Sequence, residues 1–143
     1  MFNIFKKSKS KEVAELVRLS IGNAAMTEGK ASNPNDPSLV QLSKKITTSW
    51  LESLPKTAID ECQPSVLAAY ILVAESQVYA KEKSSIHVAN LYIESAKIAT
   101  KGLGFRAASG QLHESDFKLL KIMAQLANKA GLSFYDEILE AGA

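Results

Sequence analysis

Nine consecutive residues, Val66-Leu-Ala-Ala-Tyr-Ile-Leu-Val-Ala74, constrain this chain more than any other feature. Wound into a helix, the run is apolar on every side, and such a helix belongs at the centre of a bundle. It is too short to cross a bilayer, which takes about twenty residues. The rest of the chain must therefore supply the helices that surround it.

The length suits that task. The chain has 143 residues, 46% of them hydrophobic. One domain of this size hides about two-thirds of the surface its unfolded chain exposes. No segment of useful length alternates apolar and polar residues strictly, and β-branched residues are not clustered as strands need. Alanine, leucine, lysine and glutamate favour helix. The expected fold is an all-α antiparallel bundle of about five helices.

Periodicity and terminus signals place those helices. Val13, Leu16, Val17, Ile21, Ala24 and Ala25 mark one face of a first helix over about residues 10–28, with Gly29 as its stop. Asp36 and Pro37 cap and open a second helix, 37–54, whose inner face is read as Leu39, Leu42, Ile46, Trp50 and Leu54. Pro55 ends it. Thr57 with Asp60 resembles a variant capping box, opening either a short turn or the third helix. That third helix spans about 65–82, with Pro64 as a kink or as its first residue.

A fourth helix, 85–101, carries its polar residues His87, Asn90, Glu94, Lys97 and Lys101 as one narrow stripe. A loop with Gly102, Gly104 and Gly110 leads to a fifth helix, 115–130, whose inward residues are Phe117, Leu119, Leu120, Met123, Leu126, Ala127 and Ala130. Gly131-Leu132 reads as a Schellman ending, and Ser133 with Asp136 opens a short terminal helix through Leu139.

The third and fourth helices resemble, in part, a tetratricopeptide helix pair. Leu72, Ser76 and Tyr79 match its first helix, and Ala89, Ile93 and Ala96 its second when one extra residue is allowed between them. Glu75 stands where the pattern has leucine, the closing proline is missing, and there is no second copy to stack on. The likeness covers about 30 residues and is not read as membership.

Charge is concentrated at the front. Lys6, Lys7, Lys9 and Lys11 fall within the first eleven residues, which hold no acid, and the remainder carries a net −2. A near-neutral body is not the broad basic surface of a duplex-binding protein, so no nucleic-acid partner is expected. Residues 1–9 read as a flexible basic and aromatic tip ahead of a single helical domain over 10–143. Phe2, Ile4 and Phe5 beside Lys6 and Lys7 are the candidates for weak contact with an anionic membrane. They form neither a spanning segment nor a secretory signal.

Few residues suggest chemistry. Cys62 stands alone, so no intrachain disulfide and no Cys₂His₂ or Cys₄ zinc site can form, which suits a reducing, cytoplasmic setting. Its acidic neighbours Asp60 and Glu61 disfavour a thiolate. His87 and His113 lack the helical spacing of a di-metal centre, so no metal or other cofactor is expected. Gly102-Leu-Gly-Phe-Arg106 has neither the strand nor the Gly-Lys-Ser/Thr of a phosphate loop, and no Gly-x-Ser-x-Gly motif occurs.

Glu75, the first charge after the apolar run, is the most informative acid; pairing with Lys97 or Lys101 is one expectation for it. Glu75, Tyr79, His87, Glu94 and Arg106 are the candidate interaction or ligand residues. The expected role is a noncatalytic helical module that binds another protein or a second copy of itself through apolar surface left over on the third and fourth helices. The alternatives are a peripheral membrane protein using the tip, and an enzyme or ligand binder with a cavity near Glu75.

Overall fold

A computed structural model describes residues 2–27, 37–80, 86–100, 103 and 108–129, the side chains of 2–8, 80, 86–89 and 127–129 excepted. These residues form six helices and no strand: α1 (Phe2–Thr27), α2 (Pro37–Ser53), α3 (Lys56–Glu61), α4 (Pro64–Ala80), α5 (Ile86–Thr100) and α6 (Glu114–Lys129). The chain is an all-α helical bundle.

Helix α4 is its axis. Every residue from Val66 to Ala74 is at most 8% exposed. α1, α2, α5 and α6 pack around it, α5 most extensively. Over Val66 to Ala74 these neighbours leave no apolar face uncovered; further along the helix Val78 is 48% exposed. On α5, Tyr92 and Ala96 are buried while Leu91, Ile93, Ile98 and Ala99 are half-buried. Asn90, Glu94 and Lys97 hold the wet edge, as the stripe predicted.

Several boundaries move. α1 starts at Phe2 rather than near Ser10, so the backbone of the basic and aromatic tip is already helical. No proline or glycine interrupts residues 2–21, and lysine is a good helix former. Thr57 does not cap a helix; Pro55 precedes the short α3, without a side-chain cap. Pro64 is the first residue of α4, where its missing N–H leaves no bond unmade. The proposed Schellman ending and terminal helix lie outside the described residues.

The inner face of α2 is rotated from the expected one. Ser43, Ile46, Thr47 and Leu51 are buried, whereas Leu42 is 41% exposed. α2 packs chiefly on α1 and more lightly on α4, so the face that matters is the one turned to α1. Small hydroxyl residues occupy it.

One neighbouring pair of helices runs in the same direction. Asp116 near the start of α6 bonds to Gln63 at the start of α4, and Gln77 late in α4 donates its side-chain N–H to the Leu126 carbonyl late in α6. α4 and α6 are thus parallel within a bundle expected to be antiparallel. The turn before α6 contains Gly110 at φ +71°, a left-handed conformation that glycine adopts without a Cβ penalty.

Candidate functional site

Two clusters of polar and aromatic groups stand out among the described residues. The first joins α2, α4 and α5 around Glu75. Trp50 projects from α2 and donates its indole N–H to Glu75 Oε2 at 2.6 Å. The same ring meets Tyr70 of α4 edge-on, with centroids 6.4 Å apart. One turn beyond Glu75, Tyr79 stacks on Tyr92 of α5 at 5.6 Å, with the rings 12° from parallel. Burial raises the Tyr92 hydroxyl well above the usual tyrosine range, and the charges of Glu75 and then Tyr79 add to it. Burial alone raises Tyr70.

Glu75 is therefore half-buried against an indole donor and within reach of a buried phenol. Lys97 does not serve it; Lys97 pairs with Glu94 one turn away at 3.1 Å on the surface of α5, because both lie on the same wet stripe. Lys101 lies outside the described residues. The site thus brings together Glu75 and Tyr79, adds Trp50, Tyr70 and Tyr92, and leaves Glu94 outside it on the wet stripe. The side chain of His87, all of Arg106, and the side chains of Phe2, Ile4, Phe5, Lys6 and Lys7 lie outside the described residues.

The second cluster was not foreseen. Asp116 is 0% exposed and its carboxylate accepts three N–H groups. Oδ1 takes the backbone N–H of Gln63 at 2.8 Å; Oδ2 takes the backbone N–H of His113 at 2.9 Å and the Gln63 side chain at 3.1 Å. Gln63 and His113 are the residues just before α4 and α6. One carboxylate therefore caps two helix N-termini, where orphan donors and the helix dipole both favour negative charge. The sequence signal was an acid at the third position of α6, the acceptor half of a capping box. It was missed because a histidine, not serine or threonine, precedes that helix.

Around Asp116 the corner is closely tied. Ser115 Oγ donates to Glu61 Oε2 at 2.8 Å, Lys9 Nζ donates to the Asp60 carbonyl at 3.1 Å, and Gln63 Nε2 also reaches the Gln111 carbonyl at 2.8 Å. Cys62 is buried here, its thiol donating to the Ser115 carbonyl at 3.4 Å. Burial first, then the charge of Asp116, with a smaller push from Glu61 and against the opposing charge of Lys9, raises that thiol to about 11. A thiol in that state is neutral at physiological pH and is a poor nucleophile. Among the described residues no three histidine, cysteine, aspartate or glutamate side chains gather as a metal site. No described helix is long and apolar enough to cross a membrane.

Comparison of the chain with known protein families, characterised proteins and solved structures returned no match.

Proposed function

We propose that this protein is a noncatalytic helical interaction module that first recognises a second copy of itself through α1. The observation that carries the reading is the outer face of that helix. Leu19 and Met26, two large apolar side chains seven residues apart, are 42% and 54% exposed. That spacing returns to the same side of a helix and is how one helix seats another. α1 has 26 residues, about 39 Å of helix at the usual rise per residue. Full burial of two such side chains yields about 1.5–3 kcal/mol each.

The chemistry-bearing groups support the noncatalytic half of the reading. Asp116 caps two helices, Glu75 holds an indole, and Cys62 carries a suppressed thiol. Each has a structural task that accounts for its placement.

Sedimentation over a wide concentration range tests the proposal. The wild-type chain should show a reversible monomer–dimer equilibrium, and Leu19→Glu with Met26→Glu should remain monomeric with unchanged helical circular dichroism. A wild-type chain that stays monomeric at the highest concentration, or a double variant that associates as well as wild type, overturns it.

A further inference from the structure

We infer that α2 is a latched flap, a helix poised to swing off the bundle as a unit while α1, α4, α5 and α6 stay folded. Three independent observations lead there. The first is buried polarity. Ser43 and Thr47 lie one turn apart on the inner face of α2, at 1% and 0% exposure, and their hydroxyls find no hydrogen-bond partner among the described residues. Three other buried hydroxyls are satisfied by their own helix: Ser76 by the Val73 carbonyl, Ser95 by Leu91, Thr100 by Ala96. Docking α2 therefore buries two hydroxyls with no bond to any described residue in return, and undocking rehydrates them.

The second observation is incomplete packing. α2 rests mainly on α1 and only lightly on the α4 axis. A cleft of about 240 Å³ opens along the α1–α2 seam, lined by Lys11, Ala14, Glu15, Arg18, Val40 and Lys44. The third is the latch. Trp50, near the C-terminal end of α2, is fastened to α4 by the 2.6 Å bond to Glu75 and the edge contact with Tyr70. A helix with unsatisfied polar groups in its seam and a directional tie near one end is a unit of low local stability, of the kind that opens before the whole domain does. Opening would bare the flank of α1 and α4 that α2 covers. This inference does not depend on self-association through the outer face of α1.

Hydrogen–deuterium exchange on the full chain, followed residue by residue, tests it. In the wild type, amides of residues 42–53 should exchange at least tenfold faster than those of residues 68–76 at the core of α4. Glu75→Ala should speed exchange in α2 about tenfold further and leave residues 68–76 unchanged. Ser43→Ala with Thr47→Val should do the reverse and slow α2 about tenfold, because it removes the two unsatisfied groups while keeping their shape. Equal rates in α2 and α4, an equal effect of Glu75→Ala on both, or no slowing in the double variant would overturn the flap.

Discussion

Replacing Asp116 with alanine should be among the most damaging single changes in this protein. The side chain is wholly buried and accepts three N–H groups, two of them the backbone N–H groups of the residues just before α4 and α6. Losing one N-terminal cap costs about 0.5–2 kcal/mol, and a hydrogen bond to a charged group is worth about 1.5–3 kcal/mol. The three bonds share one carboxylate and are not additive, so the expected loss is about 3–4 kcal/mol. For a chain of this length, at about 2.1 cal/mol/K per residue, that lowers Tm by roughly 10–13 °C. Asp116→Asn keeps one acceptor but turns an amide N–H₂ toward a backbone donor, and should lose about 2–3 kcal/mol.

The control is Glu114→Ala. Glu114 lies two residues away, and its 3.8 Å pair with Lys118 is highly exposed, so its loss should be about 0.5 kcal/mol or less. Urea unfolding of the four chains, read by circular dichroism, supplies the numbers. If Asp116→Ala and Glu114→Ala shift the midpoint equally, the double-cap reasoning is refuted.

Other outcomes follow from the same geometry. Cys62 has a folded-state pKa raised from an ordinary 9.0 to about 11, so its contribution is fully present below pH 9 and is lost as pH rises from 9 to 11. Over that window wild type should lose roughly 2–3 kcal/mol more than Cys62→Ala, measured by urea unfolding at each pH. The folded wild-type chain should also react with a thiol reagent at pH 8 no faster than it opens. Ile71→Ala, at a fully buried position of α4, should cost about 2–5 kcal/mol, while Ile122→Ala on the exposed face of α6 should cost under about 1 kcal/mol; equal losses would contradict the placement of α4 as the axis. Flotation with vesicles rich in anionic lipid compares residues 1–143 with 12–143. If Phe2, Ile4, Phe5 and the nearby lysines reach the bilayer, only the longer chain floats, and equal flotation removes the tip as a membrane contact.

The sequence by itself determined the helices and their axis. An uncharged run from Val66 to Ala74 can be satisfied in one way in a chain of this kind, by burial on all sides, and the proline and charge signals then divide the remaining residues into helices around it. Those are local properties, set by propensity, periodicity and the groups each helix end must satisfy. What only the tertiary structure decided are the meetings between distant residues. Trp50 and Glu75 are 25 positions apart and Gln63 and Asp116 are 53 apart, and no local pattern says which donor a given carboxylate receives. The rotation of α2 that buries Ser43 and Thr47 in place of Leu42 belongs to the same class, because a helix turns the face its neighbour can approach most closely. The covering of α4 from Val66 to Ala74 is the last such decision. A sequence reveals how much apolar surface a helix carries, but only the arrangement of its neighbours reveals how much is left.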